Sequence, residues 1–144
     1  MPDLKLRAAQ KIVSVALKTA RERNLAPVAV AVYDARGALR AFGSEDGTSL
    51  KRAEIAMGKA YGALALGLPS RAITKMAAER PQFLAAVTHA VGGLLVPAPG
   101  GVLLRDRNGG LVGAVGISGD TSDNDEAAAV TAIEAAGLTP DSGA

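Results

Sequence analysis

The one histidine of the chain, His89, lies in an apolar stretch that is closely followed by two glycines, Gly92 and Gly93. A neutral imidazole can ligate haem iron, and near pH 7 it can also act as a general base. The alternative is structural, because a lone histidine in apolar surroundings is more often packed and hydrogen-bonded. The two glycines keep the functional interpretation open, since a backbone without Cβ atoms lets a ligand approach closely.

Carboxylates occur in two short segments. Glu45 and Asp46 lie in a polar loop, and Asp125 and Glu126 lie at the start of the last predicted helix. If the two segments converge, they provide a divalent-cation site or an acid/base pair. Together with the histidine, Glu45 and Asp46 are the candidate catalytic residues. The alternative is that neighbouring loop residues point apart and that the second pair only starts a helix.

A glycine-rich segment, residues 116–122, leads from a predicted strand into the last predicted helix. Backbone N–H groups at such a helix start can hold a carboxylate or a phosphate. No lysine follows with the spacing of a nucleotide-binding loop, and the serine lacks the glycine spacing of a nucleophile elbow. The segment therefore favours a small anionic metabolite. With the histidine included, the candidate cofactor-binding residues are His89, Gly116, Ser118, Gly119 and Asp125.

Lys59 lies in the middle of an alanine-rich helical segment, residues 50–66. A buried lysine with a lowered pKa can attack a carbonyl group. A lysine in such surroundings more often extends to solvent or forms a salt bridge across an interface, and an interface is the favoured interpretation. Gly58 and Gly62, four residues apart in the same segment, indicate close helix packing.

Apolar residues recur at helical spacing in four segments, over about residues 4–24, 50–66, 70–80 and 123–136. Asp3 and Ser70 are suitable N-cap residues for two of these helices. Asp123 and Glu126 have the spacing of a capping box at the start of the last one. Residues 82–93 fit either a short helix or a loop.

Short apolar and β-branched runs predict five strands, over residues 28–33, 38–42, 94–96, 102–105 and 111–118. Asn108-Gly109, between the last two, is a strong hairpin signal. Strands joined by hairpins form an antiparallel sheet, so the pattern predicts a mixed α/β (α+β) fold with helices packed on that sheet. We expect residues 1–144 to form one domain, with residues 139–144 as a frayed tail.

Several segments resemble the GlcG/HbpS family, which also occurs as the C-terminal domain of PduO-type proteins. They are residues 30–37, Lys59-Ala60 and Val112-Gly113-Ala114-Val115-Gly116-Ile117-Ser118-Gly119, with Asp125-Glu126 following at a fitting distance. The resemblance spans about residues 4–137. It implies a profilin-like three-layer α-β-α domain, a five-stranded antiparallel sheet with helices on both faces, and assembly into oligomers.

The resemblance also bears on the ligand. Some members of the family bind haem, and others act beside glycolate or propanediol metabolism. It therefore implies a small-molecule or tetrapyrrole ligand, with haem as the leading one. It assigns no role to His89, which remains a candidate ligand on its own chemistry.

The composition excludes several classes of protein. Cysteine is absent, which excludes thiolate catalysis, Fe–S clusters, cysteine-based zinc sites and disulfides. Aromatic residues make up only 3% of the chain and the net charge is only +2, so we expect no nucleic-acid partner. No run reaches the roughly 18–20 apolar residues of a membrane span and no signal peptide is recognisable, so we expect a cytoplasmic protein without a membrane partner.

Two functions follow as hypotheses. The first is a small-molecule or haem-binding protein. The second is an enzyme that acts on a small carboxylate or carbonyl metabolite, with His89 and the loop carboxylates as acid and base. No metal site is predicted from the residue pattern. The small residues of segment 50–66 offer a flat apolar face, which predicts a homo-oligomer.

Overall fold

The computed structural model describes residues 3–144, so Met1 and Pro2 of the predicted domain lie outside the described residues. The helices are α1 (Leu6–Glu22), α2 (Arg52–Leu66), α3 (Ser70–Glu79), α4 (Pro81–Ala90) and α5 (Ser122–Ala135). The strands are β1 (Ala29–Asp34), β2 (Leu39–Ser44), β3 (Gly101–Arg105), β4 (Leu111–Ser118) and β5 (Thr139–Asp141). Among these helices, none has the length and apolarity that crossing a membrane requires.

The five strands form one sheet in the order β2-β1-β4-β3-β5, and every neighbouring pair is antiparallel. Helices α1 and α5 cover one face, and α2 covers the other. The predicted fold class, an α/β fold with helices on both faces of a five-stranded antiparallel sheet, is therefore confirmed. The central strand is β4, and its neighbour β1 is buried along its whole length.

The two faces of the sheet differ in side-chain size. On β1, Val30 and Val32 point to the α1 and α5 layer, whereas Ala29 and Ala31 point to α2. This alternation follows from the period of two along a strand. Because the face towards α2 carries small side chains, that helix can lie unusually close to the sheet.

Two strand glycines make the close approach of α2 possible. A Cβ atom at Gly116 would lie far inside van der Waals contact with the carbonyl oxygen of Ala56. A Cβ atom at Gly101 would overlap the carbonyl group of Lys59 in the same way. Glycine is required at both positions because the neighbouring atoms are backbone and cannot rotate away.

The predicted strand over residues 94–96 is wrong. This segment instead crosses the outer side of α2, where the Val96 N–H donates to the Gly58 carbonyl at 3.2 Å. Leu95 packs against Gly62 in the same crossing. The glycine pair does mark close packing, but its partner is an extended segment and not a helix.

The fifth strand comes from the C-terminal residues. Residues 139–141 were expected to begin a frayed tail, and they form β5 against the outer edge of β3. The pairing aligns Leu103 with Asp141, and a salt bridge of 3.1 Å joins Arg105 Nε to an oxygen of the Asp141 carboxylate. The pairing partner lies far away in sequence, which local patterns do not indicate.

Two predicted helix caps also differ from the structure. Lys5 is the N-cap residue of α1, and it makes no side-chain cap hydrogen bond, so Asp3 does not cap this helix. Pro69 is the N-cap residue of α3. Ser70 lies in the first turn instead, where its buried Oγ accepts from the Gly101 N–H at 2.7 Å. Of the two possibilities for residues 82–93, the structure has the helix, α4.

Candidate functional site

The turn from β4 into α5 is organised around the carboxylate of Asp125. The Asp120 N–H donates to Oδ1 at 3.0 Å, and the Gly119 N–H donates to Oδ2 at 3.3 Å. These are the amide groups that the sequence analysis offers to an anionic ligand. In this structure the anion they hold is the protein's own side chain, so Gly119 and Asp125 are brought together as a closed turn.

Lys59 is the partner of Asp125. Its Nζ lies 3.4 Å from Asp125 Oδ2 and donates to the Ile117 carbonyl at 2.9 Å. The two side chains are 3% and 1% exposed. The predicted ion pair across a subunit interface is therefore wrong, because the lysine is buried within its own chain and paired there.

Burial dominates the titration of this pair. It lowers the pKa of Lys59, although the Asp125 charge opposes part of that shift. Burial likewise raises the pKa of Asp125, against the attraction of Lys59 and the two turn amides. Loss of water weakens the charged form of each group more than the partner restores it. The pair joins α2 to the start of α5 at the end of β4.

Arginines surround the same turn. Arg52 Nη1 of α2 donates to the hydroxyl of Ser118 at 3.2 Å, and Ser118 is completely buried. Arg71 of α3 binds Asp123 through Nη2 and Glu126 through Nε, the latter at 2.9 Å. Hydrogen bonds to the two carboxylates raise the pKa of Arg71.

The predicted capping box at α5 is therefore wrong. The N-cap residue is Thr121, whose hydroxyl accepts from the Asn124 N–H at 3.2 Å. Asp123 and Glu126 point instead to Arg71, which is a longer-range contact than their spacing indicates. Through Arg71, these carboxylates connect α3 to α5 on one side of the β4–α5 turn.

Glu45 and Asp46 lie at a separate, open depression of about 470 Å³, lined also by Arg21, Pro27 and Ser44. One Glu45 oxygen accepts from the Val28 N–H at 2.8 Å, and the other lies 2.9 Å from Arg21 Nε. Both oxygens of this carboxylate are therefore engaged. Asp46 is exposed.

The two acidic segments do not converge, because Glu45 contacts Arg21 and the Val28 N–H, whereas Asp125 and Glu126 contact Lys59 and Arg71. Asp120 accepts from the Ala26 N–H at 2.8 Å, and Glu45 accepts from the Val28 N–H two residues further along the same backbone segment. The hydrogen bonds that Asp120 accepts, from Ala26 first and then from Asn124, lower its pKa. Across the described part of the chain, no three His, Cys, Asp or Glu side chains are grouped as metal ligands would be.

His89 lies apart from the Asp125 turn and from the depression at Glu45. It is exposed on α4, which packs mainly against α3. Within residues 3–144 the imidazole makes no hydrogen bond with a protein side chain or backbone group. The structure therefore does not bring His89 together with Glu45 and Asp46, or with Ser118 and Gly119.

The outer face of α4 is apolar although it is exposed. The ten residues of this helix include no Asp, Glu, Lys or Arg, and Leu84 alone is fully buried. The exposed residues of the helix are Pro81, Gln82, Phe83, Ala85, Ala86, His89 and Ala90. Helical spacing places Ala85 and Ala86 one turn before His89, on the same side. The imidazole thus stands on a face of small, uncharged side chains.

A family model described as haem degrading protein HbpS-like matches residues 4–134 of the chain. The chain belongs to the HbpS-like family. This confirms the predicted resemblance, and the match extends from α1 to the last turn of α5, without β5. No curated protein matches this HbpS-like chain.

Solved structures agree with the family assignment. The HbpS-like chain is similar to a PduOC–haem complex, with 27% identity and a TM-score of 0.84 over 95% of this chain and 97% of that one. It is also similar to Klebsiella pneumoniae ORFY, with 26% identity and a TM-score of 0.83 over 95% and 93%. A double mutant of HbpS from Streptomyces reticuli gives 25% identity and a TM-score of 0.79 over 94% and 88%.

Sequence patterns identified several residues of the Asp125 turn but not the partners that those residues bind. Lys59 and Asp125 were both identified, but not as a pair, since 66 positions separate them. Arg52 and Arg71 were not identified. One signal was available: a lysine among Ala56, Ala60 and Ala63 on a helix face of small residues must be buried, and a buried lysine requires an acid.

Proposed function

We propose that this HbpS-like chain binds haem, and that the imidazole of His89 would hold the iron. The observation that carries the proposal is an exposed imidazole, without a hydrogen-bond partner in the described chain, on an uncharged helix face. The relatives add support, since one similar structure is a PduOC–haem complex. Histidine is a common axial ligand of haem iron.

The residues around His89 fit a haem on three counts. Ala85 and Ala86 lie on the same side of α4 and are short enough to let a flat macrocycle reach the imidazole. The helix carries no charge that a porphyrin face would have to desolvate. Arg80 lies 4.0 Å over the Phe83 ring and supplies a cation for the haem carboxylates.

Phe83 precedes His89 by six residues, which is about 9 Å along the helix axis and about a third of a turn around it. Arg80 and Phe83 therefore lie beside the face that carries His89 and not on it. In the proposed arrangement His89 would hold the iron, and Ala85 and Ala86 would leave room for the macrocycle beside the imidazole. Bound haem would supply an iron centre for ligand exchange or redox chemistry.

Haemin titration tests this proposal directly. We expect a shifted Soret band with the wild-type chain and loss of that shift in His89→Ala, because His89 is the chain's one histidine. The variant should fold normally, since the side chain is exposed and has no hydrogen bond to lose.

Gln82→Ala is the matched control, because it alters the same exposed face two turns earlier without removing an iron ligand. It should keep the wild-type Soret shift. A featureless wild-type titration, or an unchanged shift in His89→Ala, would reject His89 as the ligand. A shift lost equally in both variants would indicate non-specific binding to the helix face. We propose no second function, since His89 shares no cavity with Glu45 or Asp46 in the described residues.

We also propose a homo-oligomer, on a different surface from the predicted one. The face of α2 that was expected to be exposed is covered by the sheet and by residues 94–96. Among the exposed apolar side chains, Leu39 and Phe42 lie together on the edge strand β2, where they are 46% and 39% exposed. An unpaired strand edge with apolar side chains is a common contact between copies.

Light scattering checks this oligomer. We expect a molar mass of at least twice the 14.5 kDa of the chain for the wild type and a lower mass for Phe42→Glu, whose charge would be buried at the contact. Leu50→Glu is the control at the most exposed apolar side chain, which lies outside β2 and should leave the mass unchanged. A wild-type mass near 14.5 kDa would contradict the proposal.

A further inference from the structure

A cavity of about 300 Å³ lies at the end of the α1 and α5 layer, away from α4 and from the Asp125 turn. Leu4 and Val112, both buried core residues, contribute to its lining. Ala8, Ala136 and Leu138 line it as well, and all three pack against the same core. The cavity is therefore an opening into the main hydrophobic core, of the size at which small-ligand sites begin.

The remaining lining residues of this cavity carry charge, and cations prevail. Lys5, Arg7 and Lys11 of the α1 region all contribute, and none forms a salt bridge among the described residues. The acids are Asp3, which is exposed, and Asp106. The Asp106 carboxylate is already held by turn amides.

Two N–H groups satisfy Asp106. Its Oδ1 accepts from Asn108 N–H at 2.9 Å and from Gly110 N–H at 2.8 Å. Both bonds go to Oδ1, and Asp106 keeps its negative charge. The three cations and two acids of the lining therefore leave one net positive charge around the cavity. The first turn of α1 contains no acid, and its helix dipole adds a small positive potential at the same place.

We propose that this cavity binds a small amphipathic carboxylate, with its hydrocarbon chain in the apolar interior and its carboxylate at Lys5, Arg7 and Lys11. An apolar cavity gains by accepting hydrocarbon, since that removes apolar area from water on both sides. The cations select the charge of the head group.

Octanoate is the probe, and a titration followed by the methyl NMR signals of leucine and valine locates it. We expect saturable shifts at Leu4, Val112 and Leu138, and none at Leu84 or Leu95 in the core cluster beside α3. Octylammonium, which has the same chain and the opposite charge, should bind at least about tenfold more weakly, because the charged lining residues carry a net positive charge.

Two kinds of variant test the positive charges and the cavity volume separately. Lys5→Gln combined with Lys11→Gln should weaken octanoate about tenfold, whereas Lys18→Gln, an exposed lysine of the same helix outside the cavity, should not. Ala8→Leu should fill the cavity and abolish the methyl shifts. If that variant fails to fold, the double lysine variant still decides the question.

The outcomes that would overturn the proposal are specific. They are shifts spread over both faces of the sheet, equal affinity for octanoate and octylammonium, or an unchanged affinity in the double lysine variant. Haem binding does not enter these measurements, so the two proposals fail independently. His89→Ala should leave the octanoate shifts as they are, because α4 contributes no residue to this cavity.

Discussion

Replacing Lys59 with Met should lower the free energy of unfolding by about 3–5 kcal/mol at pH 7, because it leaves the buried carboxylate of Asp125 without its cation. Methionine preserves the volume of the lysine stem, so the loss is electrostatic and not one of packing. Urea denaturation followed by circular dichroism measures it. The variant should also lose its hydrogen bond to the Ile117 carbonyl, which adds to the effect.

The free energy of unfolding of Lys59→Met should depend on pH in a defined direction. Without Lys59, burial raises the pKa of Asp125 further above that of the unfolded chain. The folded state then binds more protons than the unfolded one, so stability falls as pH rises through this range. We therefore expect the deficit of Lys59→Met to shrink as the pH is lowered from 7 towards 4.

A double variant tests the same ion pair by removing both of its charges. Lys59→Met with Asp125→Asn removes both charges and keeps one amide oxygen, which can accept from the Gly119 N–H or from the Asp120 N–H but not from both. We expect it to regain a large part of the lost stability. Lys75→Met, which breaks an exposed pair with Glu79, is the control and should change stability little. A Lys59→Met variant as stable as the wild type would contradict the assignment.

The parts of the fold that local chemistry specifies were predicted from the sequence. Asn108-Gly109 forms the turn between β3 and β4, with Gly109 in the left-handed region at φ 82°. Asp34 closes the β1–β2 turn in the same way, by accepting from the N–H groups of Arg36 and Ala38. Burial raises the pKa of Asp34, and these hydrogen bonds outweigh that effect and hold it below its usual value.

The errors lie where a distant partner decides the local structure. Residues 94–96 are apolar because they cover α2, and apolar character alone does not distinguish covering a helix from joining a sheet. Residues 139–141 contain Pro140 and look like a tail, yet an edge strand tolerates a proline and β3 had a free edge. Neither partner can be identified from nearby residues.

The candidate site shows the same division. Gly119 and Asp125 were identified because a glycine turn before a helix has a local signature. That the turn amides hold Asp125 and not a ligand depends on Lys59, which reaches the turn from α2 on the other side of the sheet. The apolar residues beside His89 likewise predict burial. Only the packing of α3 against α4 determines which side of that helix faces outwards.

Replacing Gly116 with Ala should destabilise the protein by about 3 kcal/mol or more, although it adds one methyl group. The new Cβ atom would meet the carbonyl oxygen of Ala56 and also the backbone nitrogen of Ala60, both in α2. Because these atoms belong to the helix backbone, α2 would have to move away from the sheet as a unit. Overpacking of this kind is among the costlier core changes.

Gly43→Ala is the matched control for that variant, since it also adds one methyl group to a strand glycine with an ordinary backbone angle. Its Cβ would meet the end of the Val13 side chain at 3.0 Å, and that side chain belongs to α1 at the more open edge of the sheet. Side-chain adjustment should hold the cost to about 1 kcal/mol, well below that of Gly116→Ala. Urea midpoints of the two variants, measured together, decide the matter. Equal stability of the two variants would mean that α2 does not contact the sheet backbone at Gly116. If Gly116→Ala fails to fold and Gly43→Ala folds, the result would agree with the close packing.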